Sequence, residues 1–257
     1  MSNQPRKVAQ FRALHIPGTP LVLFNIWDVG SARAVAVAGA KAIATGSWSV
    51  AHANGYDDGE RTPLGLALDN LRRIVGATDL PVSIDLESGY GAKAEEVGST
   101  VRLAIEAGAV GCNLEDSLPA SGRLRAAADQ ADRIRIARRI ADGANIHFFI
   151  NARTDVFFEQ PANQHHDAMI AKAVERAHVY AEAGADGLFA PGLTNLALIA
   201  QLAEASPLPI NIMVVDFTSP LSALAEQGVA RVSYGPRPYL LAMKVLEEAA
   251  REANAGS

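Results

Sequence analysis

The residues of clearest chemical interest are two carboxylates at the end of an apolar run, Asp85 and Glu87, followed by the turn Ser88-Gly89-Tyr90-Gly91. Successive side chains of a strand point to opposite faces, so this spacing predicts that both acids project from one face at a strand's carboxyl end. Two converging carboxylates suit a hard cation, and magnesium needs only one direct carboxylate when others act through its waters. The alternative at this point is that one acid caps the following helix and the other is solvated.

The elements that must position these acids alternate in type along the chain. Four helix-like segments close on glycine before an apolar run, at Gly39, Gly108, Gly184 and Gly228, as a left-handed helix cap leading into a strand requires. Eight candidate strands follow this pattern, at 21–27, 42–46, 81–87, 111–115, 148–154, 187–190, 209–215 and 231–234. Stretches with helical spacing lie between and after them, such as 94–107, 126–141, 167–183 and 236–250.

Strict alternation of strands and helices implies parallel strands joined by helical crossovers. Eight such units in about 250 residues is the size of a closed barrel. We therefore predict an α/β fold, a (β/α)₈ TIM barrel over residues 1–257 as a single domain with a short N-terminal helix. An open doubly wound sheet is the second choice, because no glycine-rich dinucleotide turn is evident.

A barrel brings the carboxyl ends of all its strands to one mouth. Asp85, Glu87 and Glu115 would then meet one another and Arg153 there. Three clustered carboxylates repel one another strongly unless they share a proton or a cation. A divalent ion resolves that repulsion, so the barrel prediction favours the metal site over the helix cap.

The composition of the chain indicates which classes of molecule it can bind. The net charge of −5 comes without a lysine or arginine run, which gives no electrostatic footprint for nucleic acid or an anionic membrane. The single cysteine, Cys112, excludes an internal disulfide and a thiolate zinc cluster, and we expect it to be buried in the core. The polar start and the lack of a long apolar run make a cytoplasmic location the expectation. Small molecules are the expected partners.

Several motifs together resemble the isocitrate lyase and phosphoenolpyruvate mutase superfamily, from about Asn25 to Tyr239. They are Asn25-Ile26-Trp27-Asp28, Gly55-Tyr56-Asp57-Asp58, Asp85-Leu86-Glu87-Ser88-Gly89-Tyr90-Gly91, Asn113-Leu114-Glu115-Asp116, Ala152-Arg153-Thr154-Asp155 and Gly235-Pro236-Arg237-Pro238-Tyr239. The resemblance implies a (β/α)₈ barrel that holds Mg²⁺, or Mn²⁺, and binds a 2-oxo acid or its enolate. It also implies a homodimer or homotetramer that exchanges C-terminal helices.

The resemblance assigns roles to individual residues. Asp85 looks like the carboxylate that contacts the metal directly, and Glu87, Glu115 and Asp58 resemble the acids that hold its waters. The residues expected to bind substrate are Gly46, Ser47, Trp48, Asp85, Arg153 and Asn211. Those expected to take part in catalysis are Asp58, Glu115 and Arg153.

The departures from the family pattern bear on the reaction. The predicted lid at 117–125 has neither the cysteine and histidine of the family's isocitrate and methylisocitrate lyases nor a clear Asn-Ser pair like that of the mutases. Glu87 stands where many members have aspartate, and Asn113 where many have histidine.

The resemblance therefore predicts a magnesium-dependent lyase that cleaves a C–C bond of a small 2-oxo acid next to an enolate-forming carbonyl, as an oxaloacetate decarboxylase does. One alternative is P–C chemistry of the phosphoenolpyruvate mutase or phosphonopyruvate hydrolase type. A second alternative is a barrel that binds an oxo acid without catalysis.

Overall fold

Eight parallel strands form the centre of the fold in a computed structural model that describes residues 3–119, 121–214, 216 and 220–255. The strands are β1 (Leu21–Leu23), β2 (Ile43–Ala44), β3 (Val82–Asp85), β4 (Gly111–Glu115), β5 (Phe149–Arg153), β6 (Gly187–Ala190), β7 (Ile210–Met213) and β8 (Arg231–Ser233). Each strand pairs with its sequence neighbour, and β1 pairs with β8. A parallel bridge between Ile26 and Thr45 joins the β1 and β2 edges, so the sheet closes on itself. The (β/α)₈ barrel prediction is confirmed.

Ten α-helices accompany these strands within the described residues. They are α1 (Gln4–Ala13), α2 (Val29–Val37), α3 (Ser47–Ala53), α4 (Leu64–Gly76), α5 (Ala94–Glu106), α6 (Ala127–Gly143), α7 (Asp167–Glu182), α8 (Leu196–Ala205), α9 (Leu221–Glu226) and α10 (Arg237–Ala255). The predicted helix caps are present, because Gly39, Gly108, Gly184 and Gly228 all have positive φ angles. These glycines end helices that lead directly into strands.

Helix α1 covers the amino-terminal end of the barrel. Phe11 on this helix is fully buried and packs edge-to-face against Phe149 at the start of β5, with 5.5 Å between ring centroids. A Cβ atom at Gly111, the first residue of β4, would lie 2.6 Å from the Phe149 carbonyl oxygen, so this close approach requires glycine. The opposite, carboxyl-terminal end of the barrel is the one that carries the polar residues.

Four predicted strands end two or more residues earlier than expected, among them β2, which stops at Ala44 instead of Gly46. Strand β1 stops at Leu23, and only the Ile26 bridge continues its pairing. Strand β3 stops at Asp85 rather than Glu87, because Glu87 adopts a positive φ of 50° that no strand accommodates. Strand β7 stops at Met213, and Val215 lies outside the described residues. The single-domain organisation of residues 1–257 stays a prediction.

Cys112 is fully buried in β4, as the sequence predicted. In the parts of the chain that the structure describes, no helix is both long and apolar enough to cross a bilayer.

Candidate active site

Asp85 lies at the centre of the mouth, where β3 ends. Its Oδ2 atom accepts a hydrogen bond from the Ser47 hydroxyl at 3.0 Å and one from the Ser47 backbone N–H at 3.3 Å. Its own backbone N–H donates to Thr45 Oγ1 at 3.0 Å. Thr45 and Ser47, the first residue of α3, therefore hold Asp85 from the side, while its side chain stays half-buried at the base of the mouth.

Glu87 is buried and is held by two loops instead of by strand geometry. Its Oε2 accepts from the Glu60 backbone N–H at 2.6 Å, and its Oε1 accepts from the Tyr90 hydroxyl at 3.1 Å. The Glu60 carboxylate in turn accepts from the Tyr90 N–H and the Ser88 hydroxyl, both at 2.7 Å. Glu60, Glu87 and Tyr90 all have positive φ, an uncommon backbone state outside glycine. These three residues fasten the loop that carries Asp58 to the loop that carries Glu87.

Asp58, Asp85 and Glu87 lie close enough together for their negative charges to interact. Burial raises the pKa of Glu87 to about 7, and the charges of Asp58 and Asp85 add to the effect. Asp58 is exposed at the rim, but partial desolvation and the neighbouring Asp85 raise its pKa as well. The described surroundings therefore leave part of the mutual repulsion uncompensated, which a bound cation would relieve.

This crowding predicts a stability that depends on pH. A carboxyl with a higher pKa in the folded chain holds more protons there than in the unfolded chain. Metal-free protein should therefore lose stability as pH rises from the ordinary Glu value of 4.5 through about 7, by at most about 3 kcal/mol from Glu87. Urea unfolding in EDTA at pH 5 and pH 8 measures this loss.

Glu87→Gln should reduce that loss, because the substituted amide does not titrate. Magnesium added at pH 8 should restore stability to the wild type, because a ligand that binds only the folded chain stabilises it. Equal stability of the metal-free wild type at both pH values would contradict the prediction.

A second group of charges lies across the mouth around Arg153, the last residue of β5. Its Nη1 is 2.8 Å from Glu115 Oε2, while Nε and Nη2 reach the two oxygens of Asp155 at 2.6 and 3.0 Å. Ser117 donates to Glu115 Oε1 at 2.6 Å, and Asp116 Oδ1 accepts from the Asp155 N–H at 2.9 Å. The guanidinium is thus held as a planar fork between two buried carboxylates.

The opposite charges of Arg153 and its two carboxylates offset part of the free-energy cost of burying them. Burial raises the pKa of Glu115, an effect that the Arg153 guanidinium opposes. Burial alone would lower the pKa of Arg153, but Glu115 and Asp155 raise it above its usual range. Arg153 therefore stays charged. Asp85 also acts electrostatically on both Glu115 and Arg153, so the two groups of charges share one mouth.

The segment Gly46, Ser47 and Trp48 forms one wall of the mouth. The Gly46 N–H donates to the Ile26 carbonyl oxygen at 3.0 Å, as part of the contact that closes the barrel. The Trp48 ring stacks on His52 with centroids 3.5 Å apart and meets the edge of Tyr239 at 5.9 Å. The wall is therefore aromatic beside the serine that contacts Asp85.

Asn211 lies lower, inside the barrel, and is buried. Its amide is engaged at both ends, by donation to two backbone carbonyl oxygens and by acceptance from Asn151 Nδ2 at 3.1 Å. Direct contact with a substrate would require Asn211 to give up one of these bonds. The structure thus brings Asp58, Asp85, Glu87, Glu115 and Arg153 together and places Asn211 beneath them.

The predicted lid folds as a tight loop after β4. An antiparallel bridge joins Ser117 to Leu124, and the Leu118 N–H donates to the Arg123 carbonyl oxygen at 2.9 Å. Ala120, in this segment, lies outside the described residues. Among the described residues, no group of three or more His, Cys, Asp or Glu side chains is arranged to hold a metal ion unaided. Oxygen donors that act largely through water fit magnesium, which keeps several of its waters.

Sequence reasoning missed the residues that hold the acids in place. Tyr90 lies in a recognisable motif that does not reveal its role, and nothing in the spacing of Glu60 indicates one. Asp155 follows Arg153 by two residues, and that spacing of opposite charges was the available signal. The signal for Arg231 was a charged residue directly after the apolar pair Val229-Ala230, where a strand begins.

The fold and the mouth define a (β/α)₈ barrel with an acidic site at the carboxyl ends of its strands. The chain belongs to the phosphoenolpyruvate phosphomutase family, whose sequence profile matches residues 11–254. This family is part of the isocitrate lyase and phosphoenolpyruvate mutase superfamily that the sequence motifs resembled, so the resemblance is confirmed.

The named relatives are lyases and mutases. The 2-methylisocitrate lyase of Escherichia coli (strain K12) is 32% identical over 249 residues, which cover 93% of this chain and 80% of that protein. The oxaloacetate decarboxylase of Pseudomonas savastanoi pv. phaseolicola is 29% identical over 253 residues, 94% and 83% of the two chains. A crystal structure from Burkholderia cenocepacia J2315, provisionally named a phosphonomutase, is 55% identical with a TM-score of 0.95 and covers 97% of this chain and 99% of that one.

Proposed function

We propose that this protein is a magnesium-dependent lyase that cleaves a C–C bond of a small 2-oxo acid, next to the carbonyl that becomes the enolate. The observation that carries the proposal is the crowding of Asp58, Asp85 and Glu87 at the mouth, beside the ion pair of Arg153 with Glu115. Relatives named 2-methylisocitrate lyase and oxaloacetate decarboxylase support C–C chemistry.

The carboxylates at the mouth fit a magnesium ion by their chemistry. Asp85 would hold the ion directly, and Glu87, Glu115 and Asp58 would hold its waters, with Mn²⁺ as a substitute. The raised pKa values of Asp58 and Glu87 support this assignment, because they report anionic oxygens crowded together without a sufficient counter-charge. When bound, the ion would stabilise the enolate charge that develops as the bond breaks.

The residues of the chain would bind and orient the substrate. Arg153 has five N–H donors and uses three of them on Glu115 and Asp155, which leaves two for an anionic group of the substrate. The segment Gly46 to Trp48 would hold the other end of the substrate. Fixing both ends supplies orientation and charge stabilisation at the reacting bond.

Asp58 is the proposed site of proton transfer. It lies at the rim, where a substrate can reach it, and its raised pKa brings it closer to neutral pH than an ordinary aspartate. A carboxyl of this kind exchanges a proton more readily under physiological conditions. Glu115 would act with it by keeping Arg153 in place.

The experiment is turnover of a substrate panel with and without Mg²⁺. The panel contains oxaloacetate, methylisocitrate, phosphonopyruvate and branched 2-oxo acids, with 2-oxo acid products followed by coupled reduction. We expect magnesium-dependent cleavage of at least one C–C substrate. Oxalate binding without turnover of any substrate would favour a barrel that binds oxo acids without catalysis, and would overturn the lyase proposal.

P–C chemistry is the second candidate function. It is favoured by the 55% identity to the Burkholderia protein provisionally named a phosphonomutase. Phosphonopyruvate monitored by ³¹P NMR separates the two candidates, because rearrangement or hydrolysis of the P–C bond moves the phosphorus resonance. Conversion of phosphonopyruvate with no cleavage of the C–C substrates would favour the P–C reaction.

We also propose that the protein is a homodimer or homotetramer, joined through α10. Within the described chain Pro238 is the buried residue of this helix, while Leu241, Val245 and Leu246 are 46%, 57% and 62% exposed. An apolar groove of about 720 Å³ beside β1 and α2, lined by Leu21, Val22, Phe24 and Val35 among others, is open on the same chain. A partner's α10 seated in this groove would cover both apolar surfaces.

The oligomer proposal predicts that charge on α10 separates the subunits. Leu246→Glu should shift the mass measured by light scattering after gel filtration towards the monomer, because an unpaired carboxylate in an apolar interface is costly. Glu252→Gln, on the exposed end of the same helix, is the matched control and should leave the mass unchanged. A wild type that is monomeric at micromolar concentration would refute this part of the proposal.

A further inference from the structure

A chain of three asparagine amides crosses the barrel interior beneath the mouth. Its first member, Asn211, donates from Nδ2 to the backbone carbonyl oxygens of Ile212 and Arg231, at 3.1 and 3.2 Å. Carbonyl oxygens only accept, so these two bonds fix which way the Asn211 amide points. Its Oδ1 is therefore the atom that faces Asn151, whose Nδ2 donates to it at 3.1 Å.

Asn151 in turn fixes the orientation of the Asn113 amide. Its Nδ2 also donates to Asn113 Oδ1 at 2.9 Å. Asn151 fits here because its neighbour on β6 is Gly187, where a Cβ atom would lie 2.8 Å from Asn151 Oδ1. The Asn113 oxygen is thus committed to the barrel interior by a donor that is itself held in place.

Arg231 fixes Asn113 from a second direction. This arginine is 1% exposed, and its Nη2 donates to the same Asn113 Oδ1 at 3.2 Å. A guanidinium has no acceptor, so a reversed Asn113 amide would place donor against donor at both Arg231 and Asn151. Within the described residues, the Nε and Nη1 atoms of Arg231 are buried and have no hydrogen-bond partner.

The fixed oxygen of Asn113 leaves its Nδ2 group pointing elsewhere. No described residue accepts a hydrogen bond from this nitrogen. The nitrogen is also not one of the fully buried polar atoms without a partner, so it remains accessible from open space. Asn113 is paired in register with Asp85 and lies two residues before Glu115. Because α1 covers the other end of the barrel, the open space beside Asn113 is the floor of the mouth.

We propose that Asn113 is a substrate-positioning residue, whose Nδ2 group donates a hydrogen bond to an oxygen of the bound oxo acid or its enolate, with Arg231 and Asn151 acting through it. The inference rests on the proposed function. A donor at this point complements the carboxylates around it, since Asp85 and Glu115 offer only acceptors to a ligand. The Asn113 donor favours ligands that present an anionic oxygen to the floor of the mouth. Because an amide does not titrate, this preference holds at any pH.

The test is calorimetric binding of oxalate, a planar dianion shaped like the enolate of a 2-oxo acid, in saturating MgCl₂. Asn113→Ala should weaken oxalate binding by about 10-fold or more, the effect of losing one hydrogen bond to a charged group. Asn113→Asp keeps the shape but should weaken binding further, because it places a carboxylate against the anion. Cys112→Ala, a neighbour on the same strand outside the site, is the control and should bind oxalate as the wild type does.

Arg231→Met separates positioning from folding. Methionine matches the aliphatic part of the arginine side chain and removes a buried charge that lacks a salt bridge, so the variant should fold with a thermal midpoint near that of the wild type. It should still weaken oxalate binding and raise KM more than it lowers kcat, because Asn113 loses one of the two donors that fix it. Magnesium affinity measured without oxalate should not fall in this variant, because the removed charge is a cation that acts on Asp85.

The outcomes distinguish this inference from the proposed function. Wild-type protein that fails to bind oxalate with Mg²⁺ overturns both. Wild type that binds oxalate while Asn113→Ala binds it equally well overturns the role of Asn113 alone. Weaker binding in Asn113→Ala with unchanged binding in a folded Arg231→Met assigns the donor to Asn113 and overturns the role of Arg231.

Discussion

Asp85→Asn should abolish turnover without unfolding the protein. The substitution keeps the shape that Ser47 contacts at 3.0 Å but removes the charge proposed to hold the metal. Because a bound divalent ion stabilises the developing enolate by several kcal/mol, we expect kcat/KM to fall by about 1,000-fold or more. Steady-state kinetics on the substrate identified by the panel measure this loss.

The same substitution should not lower the stability of metal-free protein. Asp85 raises the pKa of both Asp58 and Glu87, so its removal relieves repulsion in the folded chain. The thermal midpoint in EDTA should equal or exceed that of the wild type, and the midpoint should no longer rise with Mg²⁺. This combination separates a metal ligand from a merely structural carboxylate.

The matched control is Asp79→Asn. Asp79 is exposed and precedes the other end of β3, so it carries the same chemical change away from the mouth. It should retain wild-type kinetics and the wild-type response to magnesium. An Asp85→Asn variant with more than a tenth of the wild-type kcat/KM would remove Asp85 from the proposed mechanism.

The barrel could be predicted from the sequence because its signals are local and repeated. Glycines such as Gly108 and Gly184 mark helix ends through a backbone state that other residues rarely adopt, and an apolar strand follows each of them. Once strands and helices alternate, topology alone brings Asp85, Glu115 and Arg153 to one mouth. No knowledge of side-chain contacts is needed for that step.

The arrangement around Glu87 could not be predicted, because strand periodicity ends where the strand does. Asp85 and Glu87 were expected on one face of β3, but Glu87 lies beyond the strand with φ of 50°. Its position is set by Glu60, 27 residues away, through a backbone N–H that no side-chain pattern reveals. The carboxylates come together as expected, but the contacts that hold Glu87 are non-local.

The ion-pair partners of Arg153 could not be predicted from the sequence either. The sequence indicated an arginine at the mouth, and the resemblance implied that it binds the substrate. Spacing alone could not show that Asp155 takes two of its donors and Glu115 a third, because a residue two positions away at a strand end can point in several directions. The proposed substrate contact is therefore a shared one, on a guanidinium that also neutralises two buried acids.

Arg153→Met should lower both stability and turnover. Removing the guanidinium leaves Glu115 and Asp155, 8% and 6% exposed, without their counter-charge. Breaking a buried ion pair by removal of one partner costs about 3–5 kcal/mol, which urea unfolding at pH 8 would measure. The pKa of Glu115 should rise further without the arginine that opposes its rise, so this loss should shrink as the pH is lowered and Glu115 protonates.

Two further variants separate the substrate contact from the folding effect. Arg153→Lys keeps a charge but loses the planar fork, so kcat/KM should fall by about 100-fold while most of the stability remains. The triple variant Arg153→Met, Glu115→Gln, Asp155→Asn removes the unpaired charges and should regain stability without regaining turnover. Recovery of turnover in the triple variant, or wild-type kinetics in Arg153→Lys, would show that Arg153 only neutralises its two neighbours and does not contact the substrate.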